Sequence, residues 1–416
     1  MLKRSHLKLL LLLLLLTTGF CHAAARHGGQ AAKPANGPCS DISKPPAIDC
    51  GLAPNAVFDS QGRLWAAWAF AGHVYVNHSD DRGTNFTPPV AVNRIPEPIS
   101  ARGENRPKIA LGKAGKLFVT WTTPLEKRFT GHIRFSRSLD GGRSFSDPVT
   151  VNDNLDITSH RFEDITVNER GEITIAWLDK RDLLQAKKQG RPYKGAAVYY
   201  AVSDNDGESF HPNQKIIDNS CECCRVAVAS DIDQLPVVLW RNIYGDSIRD
   251  HALVKFTRVN QAGTPVRVSY DEWHIDACPH HGPALSIAQD GIYHLTWFDN
   301  AEQRHGLFYA RSEDQGASYS EAVNFGDYDK AASHPDIVSL GQRVFLAWKE
   351  YDGKYSRVLW QHSDNGGLDW SDPMLLAETE GESDYPFFAN DGEQVFVYWL
   401  KDQGGFDLYP VAVTKE

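Results

Sequence analysis

The sequence predicts an all-β fold: a seven-bladed β-propeller of four-stranded antiparallel blades, closed by an N-terminal strand, with six blades as the alternative. Two observations support this prediction. Tryptophans recur at intervals of 51 to 63 residues, at Trp68, Trp121, Trp177, Trp240, Trp297, Trp348 and Trp399. Between them a Ser-x-Asp-x-Gly-x-x-aromatic pattern, with Asn for Asp in two copies, occurs five times. A repeat of about 50 residues with several short strands is typical of propeller blades.

The repeated pattern predicts a tight turn followed by an aromatic plug. Its Ser and Asp side chains can hydrogen-bond nearby backbone amides, and its Gly allows a left-handed backbone. We expect the aromatic residue to bury the turn against its own sheet. The five copies begin at Ser79, Ser138, Ser203, Ser312 and Ser363. The fourth repeat keeps only Gly263 of the pattern, so we expect a degenerate turn there.

The last repeat has no segment for a fourth strand. Residues 43–49, Ser-Lys-Pro-Pro-Ala-Ile-Asp, resemble the segments that follow the repeated turns. We therefore expect them to pair with the last blade and close the ring, because a propeller does not leave a sheet edge open. Cys39 and Cys50 flank this strand and are predicted to form a disulfide that holds it.

The N-terminus predicts an exported protein, periplasmic or secreted. Residues 1–25 combine a basic start, the apolar run Leu9 to Leu16 and an Ala-Ala-Ala end, which together indicate a cleaved signal peptide. The run is shorter than the roughly 20 residues of a membrane span, and no later segment approaches that length. We expect residues 26–38 to form a flexible leader and residues 39–416 to form a single propeller domain.

Charge argues against nucleic acid as a partner, because the net charge is -10 and a phosphate-binding surface usually shows a basic excess. Residues 180–194 are an exception, with six lysines and arginines. Such a segment is either a loop that extends into solvent or a surface that attracts a small anionic ligand.

The repeated pattern resembles the Asp-box, or bacterial neuraminidase repeat, of sialidase-like β-propellers. The resemblance covers nearly the whole chain after the N-terminus. It implies that the turns are scaffold on one face of the ring and that the functional site lies on the other face. There the segments that lead into each first strand, named the rim loops below, converge. They fall at residues 53–54, 105–107, 160–163, 221–225, 278–283, 333–335 and 384–386.

Cysteines and histidines concentrate in the rim loops of the third to sixth repeats. The residues are Cys221, Cys223, Cys224, Cys278, His280, His281 and His334. Thiolates with imidazoles favour soft or borderline metal ions, so one hypothesis is a site for copper or zinc. The alternatives are structural disulfides, which exported cysteines commonly form, and a catalytic thiol.

The resemblance itself implies a different activity, an exo-glycosidase of the sialidase kind acting on an anionic sugar. In sialidases three arginines hold the substrate carboxylate, and a tyrosine activated by a glutamate is the nucleophile. The residues that this alternative assigns are Arg106, Arg161, Glu163, Arg225 and Tyr385. Two features count against it, because sialidases resemble six-bladed rings and need no Cys/His cluster. A third hypothesis is a platform that binds a protein partner, since a fold does not fix a function.

Overall fold

The computed structural model describes residue 39, residues 46–402 and residues 405–411. The chain divides into two compact units, Met1–Ser40 and Asp41–Glu416, and the elements below belong to the second. The predicted signal peptide and leader lie outside the described residues.

The first two sheets are antiparallel meanders of four strands each. One contains β1 (Leu52–Phe58), β2 (Leu64–Phe70), β3 (His73–Ser79) and β4 (Val90–Ala91). The next contains β5 (Lys108–Leu111), β6 (Leu117–Pro124), β7 (Gly131–Ser138) and β8 (Val149–Thr150).

The third sheet has nine strands and consists of two meanders. The first meander contains β9 (His160–Val167), β10 (Ile173–Asp179), β11 (Ala196–Ser203) and β12 (Gln214–Ser220). The second contains β13 (Ala227–Ser230), β14 (Pro236–Tyr244), β15 (Ile248–Arg258), β16 (Gln261–Ala262) and β17 (Val266–Arg267). A single residue pair, Ser220 with Asn242, joins the two meanders.

Three smaller sheets follow. The fourth contains β18 (Ala284–Ile287), β19 (Tyr293–Asn300), β20 (His305–Ser312) and β21 (Val323–Phe325). The fifth contains β22 (Ser333–Leu340), β23 (Arg343–Tyr351), β24 (Tyr355–Ser363) and β25 (Met374–Glu380). The last has three strands, β26 (Phe387–Asn390), β27 (Val395–Lys401) and β28 (Gly405–Val411). The predicted all-β class, with four-stranded antiparallel sheets, is confirmed.

One α-helix, α1 (Arg181–Lys188), occurs in the described part of the chain, between β10 and β11. It occupies part of the basic segment that the sequence singled out. Within the residues described, no helix has the length and apolar character to cross a membrane.

The seven regularly spaced tryptophans lie on the second strand of each meander, and each is at most 1% exposed. Each belongs to a hydrophobic cluster that two neighbouring meanders share, so it packs between sheets. Trp68, for example, shares its cluster with Phe387 and Tyr398 of the last sheet. A tryptophan buries roughly 150–250 Å². The recurrent tryptophan is therefore the main apolar contribution to each junction between sheets.

The first strands of the meanders contact one another in succession. Contacts run from β1 through β5, β9, β13, β18 and β22 to β26, and β26 also contacts β1. Side chains bridge these strands where the backbones are not paired. Asn55 accepts a hydrogen bond from Ile109 N at 2.9 Å, and Asp336 accepts one from Phe388 N at 2.8 Å. Backbone amides that would otherwise be buried without a partner are satisfied in this way.

The five repeated turns share one hydrogen-bond pattern. In the turn that begins at Ser138, the Ser138 hydroxyl accepts from Gly142 N at 2.9 Å, and Asp140 Oδ1 accepts from Ser144 N at 3.0 Å. The equivalent serines of the other four copies accept from their glycine N–H at 2.7 to 2.9 Å. Gly142 has φ +77°, a left-handed conformation that favours glycine. The predicted turn chemistry is therefore present in all five copies.

The aromatic residues of these turns were expected to pack against their own sheet, but they contact the preceding sheet. Phe210, which follows β11, packs edge-on against Phe135 of β7 at 5.0 Å between ring centroids. Trp370, which follows β24, packs edge-on against Tyr309 of β20 at 4.7 Å. Each ring thus packs against an aromatic ring of the preceding sheet.

In the fourth meander the turn is replaced by a hairpin. Strand β15 is eleven residues long and turns directly into β16. Gly263 N donates to Lys255 O at 3.1 Å, which continues the pairing beyond the hairpin. This short connection explains why the sequence keeps only the glycine of the pattern.

The predicted closing strand, residues 43–49, lies partly outside the described residues. Its described end is not a strand, because Ile48–Cys50 form a 3-10 turn. The turn packs against β28, and Asp49 Oδ1 accepts a hydrogen bond from Phe406 N at 2.9 Å. The described part of the chain contains no fourth strand paired with β28. Cys39 and Cys50 are both disulfide-bonded.

Candidate functional site

The cysteine triplet of the fourth rim loop forms a compact, buried group of thiols. The Cys221 sulfur lies 3.7 Å from that of Cys223 and 3.5 Å from that of Cys224. All three are at most 4% exposed and are free thiols. These separations are too long for a disulfide, whose S–S bond is about 2.05 Å. The loop that carries them runs from Ser220, the last residue of β12, to Ala227, the first residue of β13. Because the loop is short, its three cysteine side chains share one small volume.

Cys278 and His280 of the fifth rim loop extend this group towards solvent. Ligand atoms of Cys223, Cys278 and His280 all lie within 4.8 Å of one another, as do those of the triplet. Cys278 is an exposed free thiol, and His280 Nδ1 lies 3.2 Å from Cys223 O. The five residues form one cluster, named the thiol cluster below.

The four thiols of the cluster differ in acidity. Hydrogen bonds with Cys223 and Cys224, and then the cations Arg241 and Arg249, hold the pKa of the Cys221 thiol well below its usual range. A hydrogen bond with Cys223 also lowers the pKa of Cys278. A hydrogen bond with Cys221 raises the pKa of Cys223, and burial raises that of Cys224. Since a thiolate and not a thiol is the metal ligand, Cys221 and Cys278 are the sulfurs best prepared to bind a soft cation.

His281 and His334, the other two predicted metal ligands, lie outside the thiol cluster. Instead they belong to a stack of four rings along the rim. Ring centroids are 4.1 Å apart from Phe298 to His281, 4.3 Å from His281 to His334 and 3.4 Å from His334 to Tyr385. Burial lowers the pKa of His334 to about 4 and lowers that of His281 well below its usual range. Both imidazoles are therefore neutral at pH 7.

Glu104 organises the rim beside this stack. Its carboxylate lies 3.2 Å from His334 Nδ1 and accepts from Gly282 N at 2.9 Å, Arg225 N at 3.0 Å and Arg225 Nη1 at 3.1 Å. Burial opposes ionisation, but Arg225 and His334 together hold the pKa of Glu104 below its ordinary value. The sequence analysis missed this residue. The available signal was its position, directly before the rim loop at 105–107.

Two of the three arginines that the glycosidase hypothesis requires are engaged in buried ion pairs. Arg106 pairs with Asp384, and Arg225 pairs with Glu104. Arg225 also donates to Pro283 O and Pro335 O, at 3.2 and 3.1 Å. Both guanidinium groups hold the rim loops together, and all five N–H donors of Arg106 have acceptors within the protein.

Arg161 and Glu163 lie on β9 rather than in one group with Tyr385. The Arg161 guanidinium carbon lies 4.7 Å above the Phe162 ring, and its charge acts on Glu163, Cys223 and Cys278. Glu163 Oε2 accepts from Thr122 Oγ1 at 2.6 Å, while its other oxygen is buried without a hydrogen-bond partner. Burial raises the pKa of Glu163 to about 7.

Glu104 and Asp384, not Glu163, are the carboxylates that act on Tyr385. Burial first, then these two charges, raise the pKa of the Tyr385 hydroxyl. Glu163 was predicted to activate Tyr385 as a base. Among the described residues, no contact between Glu163 and Tyr385 supports that pairing.

The basic segment around α1 is largely neutralised by neighbouring carboxylates. Lys180 Nζ lies 2.7 Å from Glu222 Oε2, and Arg181 Nη2 lies 2.8 Å from Asp179 Oδ2. Lys188 lies 3.6 Å from Asp156. This pairing favours the solvated interpretation of the segment over an anion-binding surface.

Solved structures share the fold at low sequence identity. The polysaccharide lyase Uly1 is 11% identical with a TM-score of 0.54, and the match covers 94% of this chain and 94% of that chain. The PL25 ulvan lyase bound to -[GlcA(1-4)Rha3S]- is 11% identical with a TM-score of 0.54, covering 87% of this chain and 94% of that chain. The Hadza microbial sialidase Hz136 is 15% identical with a TM-score of 0.48, covering 84% and 76%.

No protein-family model matches the chain, and no curated protein matches it. The likeness to the two lyases concerns the fold alone. Whether this chain acts on a sugar must be argued from its own residues.

Proposed function

We propose that this protein is an exported, seven-bladed Asp-box propeller that binds a thiophilic metal ion, copper(I) or zinc, in its thiol cluster. The observation that carries the proposal is the cluster itself. Four free thiols and one imidazole, from two rim loops, form overlapping groups whose ligand atoms lie within 4.8 Å of one another. Such a set of soft ligands suits copper(I) or zinc, for which sulfur and nitrogen are the preferred donors.

The seven-bladed ring is supported by the way the meanders contact one another. Seven meanders follow in sequence, each with one of the regularly spaced buried tryptophans, and the first strand of the last contacts the first strand of the first. This succession of contacts favours seven blades over the six-bladed alternative.

The cysteine chemistry supports both export and metal binding. Cys39 and Cys50 are disulfide-bonded, which is typical of an oxidising compartment. In such a compartment, thiols as close as Cys221 and Cys224, 3.5 Å apart, would be expected to oxidise unless they were occupied. A bound metal ion would protect them from oxidation, because it holds both sulfurs as metal-bound thiolates.

Elemental analysis of protein purified from its own compartment tests the proposal. We expect stoichiometric copper or zinc, and free thiols that become titratable only after a chelator removes the metal. The variant Cys224→Ser should lose part of the metal, whereas His211→Ala should keep all of it, because His211 is an exposed histidine outside the cluster that pairs with Asp204. Absence of metal, with all cysteines of the mature chain in disulfides, would overturn the proposal.

A carbohydrate-active site is the second candidate, and the cluster of Glu104, His334 and Tyr385 favours it. These residues place a carboxylate, a neutral imidazole and a phenol in contact at the rim, a set that can move a proton during cleavage of a sugar polymer. The substrate would be an anionic sugar, as the sialidase-like hypothesis holds.

A panel of sialosides and uronate-containing polysaccharides tests this second candidate. Turnover that Tyr385→Phe abolishes, while a rim variant outside the cluster such as Lys180→Gln keeps it, would support it. No turnover on any substrate, or turnover that Tyr385→Phe leaves unchanged, would exclude it. If metal and turnover are both absent, the protein-platform hypothesis remains, and deletion of residues 182–190 should then abolish capture of a partner.

A further inference from the structure

The thiol cluster consists of two overlapping ligand groups. Cys221, Cys223 and Cys224 form one, and Cys223, Cys278 and His280 form the other. Cys223 is the one residue that both groups share. A zinc–sulfur bond is about 2.3 Å, so two sulfurs on one tetrahedral ion lie roughly 3.8 Å apart. The distances of 3.7 and 3.5 Å from the Cys221 sulfur match that edge. The first group therefore already has the spacing of one metal site.

The two groups differ in their access to solvent. The residues of the first group are 1%, 4% and 2% exposed, in chain order, whereas Cys278 of the second group is exposed and His280 is half-buried. An ion arriving from solvent reaches Cys278 and His280 first. Cys223 is the residue that links these exposed ligands to the buried inner group.

We propose that the thiol cluster holds two metal ions, an outer one on Cys223, Cys278 and His280 and an inner one on Cys221, Cys223 and Cys224, with the Cys223 thiolate bridging them. The inference rests on the metal-binding function proposed above. A thiolate sulfur has more than one lone pair, so it can bind two ions at once.

The bridge provides a route for loading the inner position. An ion held by Cys278, His280 and Cys223 moves inward when its bonds to Cys278 and His280 are replaced by bonds to Cys221 and Cys224. Cys223 stays bound throughout, and each metal–ligand bond that breaks is matched by one that forms. The two protons that leave the Cys221 and Cys224 thiols are taken up by the released Cys278 thiolate and His280 imidazole. The outer position is then free to accept the next ion from a carrier that binds the same metal through weaker ligands.

A buried arginine lies next to the inner position. Cys221 N donates a hydrogen bond to Arg241 O at 2.9 Å. Arg241 is 1% exposed, and its Nε and Nη1 atoms have no hydrogen-bond partner. A buried guanidinium with unsatisfied donors fits a neighbouring group that becomes anionic when metal binds.

Titration of the reduced, metal-free protein with copper(I), against a colorimetric copper(I) chelator, tests this inference. We expect two equivalents for the wild type and for the control His211→Ala. The double variant Cys278→Ser/His280→Ala should keep one equivalent, which the chelator removes at least ten-fold more slowly than the outer ion of the wild type. The variant Cys224→Ser should also keep one equivalent, but one that the chelator removes quickly.

The outcomes separate this inference from the function on which it rests. One equivalent in the wild type would overturn the two-ion cluster and leave metal binding intact, and no binding at all would overturn both. Loss of all metal in the double variant would also overturn the two-position arrangement. The two residues of that variant lie at the surface, so it tests the inference even if Cys224→Ser does not fold, which near-ultraviolet circular dichroism would detect.

Discussion

Arg106 and Asp384 form a buried, two-pronged ion pair between residues 278 positions apart in the chain. Nη1 of Arg106 lies 3.0 Å from Oδ2, and Nη2 lies 2.8 Å from Oδ1. The remaining donors bind Gly103 O and Pro54 O. The guanidinium thus ties three rim loops together, and the carboxylate that it holds is the protein's own. Because Asp384 already occupies the Arg106 guanidinium, Arg106 is not available to hold a substrate carboxylate, as the sialidase hypothesis requires. For this reason we rank the metal hypothesis ahead of the sialidase hypothesis.

The first prediction concerns the stability that this pair provides. Asp384→Asn leaves the Arg106 charge buried without a counter-charge, since the arginine side chain is only 1% exposed. Removing one partner of a buried pair typically costs about 3–5 kcal/mol. We expect a loss of this size in urea unfolding at pH 7. The matched control is Asp147→Asn, which breaks the exposed pair with Arg94 and should cause no measurable change. Equal effects of the two substitutions would contradict the prediction.

The second prediction concerns acid unfolding through Glu104. Because the pKa of Glu104 is lowered in the folded protein, its contribution to stability is complete above its unfolded value, roughly 4.3, and is lost as the pH falls towards the folded value. Glu104→Gln should therefore be less stable than the wild type at pH 7, and the difference should shrink below about pH 4. Unfolding free energies measured by urea at pH 7, 5, 4 and 3 would check this. A difference that stays constant down to pH 3 would show that Glu104 does not act through its charge.

Much of the fold follows from the sequence because it rests on local and periodic features. The tryptophan spacing identifies the second strand of every meander, and the serine, aspartate and glycine of the repeated turns determine their own hydrogen bonds. The rim positions of Cys221, Cys278 and Tyr385 follow from the same spacing. These features need only the residue type and its place in the repeat.

The composition of the site is less predictable, because it depends on backbone direction and on long-range pairing. His280 and His281 are adjacent, yet one joins the thiol cluster and the other joins the aromatic stack. His280 has φ +55°, a left-handed conformation that turns the chain between them. No periodic signal indicates such a turn in a residue other than glycine. The importance of Glu104 is hidden for a related reason, since its partner Arg225 lies 121 residues away.

The third prediction compares two glycines of the repeated turns. An added Cβ at Gly367 would lie 1.8 Å from the Tyr309 hydroxyl oxygen, whereas at Gly141 it would meet nothing within 4 Å. Both have positive φ, so alanine costs each about 1–2 kcal/mol of backbone strain. Gly367→Ala should cost about 1–3 kcal/mol more, because the buried Tyr309 must move and lose its hydrogen bond with His294. Urea unfolding of the two variants measures the difference, and equal losses would contradict the packing of this turn on the preceding sheet.

The fourth prediction concerns Glu163, whose burial carries a pH-dependent cost. Its pKa rises from 4.5 to about 7, so the folded protein binds one more proton than the unfolded chain between these values. Stability therefore falls as the pH rises through this window, by about 3 kcal/mol in total. Glu163→Gln resembles the protonated side chain and avoids this cost.

We expect Glu163→Gln to match the wild type in stability at pH 5 and to exceed it at pH 8. The control Glu163→Ala removes the same carboxyl but also the hydrogen bond from Thr122, so it should be destabilised already at pH 5. Urea unfolding of the three proteins at both pH values separates the effect of charge from that of packing. If Glu163→Gln gains nothing between pH 5 and pH 8, the buried carboxylate has a compensating partner at neutral pH. Because the charge of Arg161 interacts with Glu163, Arg161 is then the first candidate for that partner.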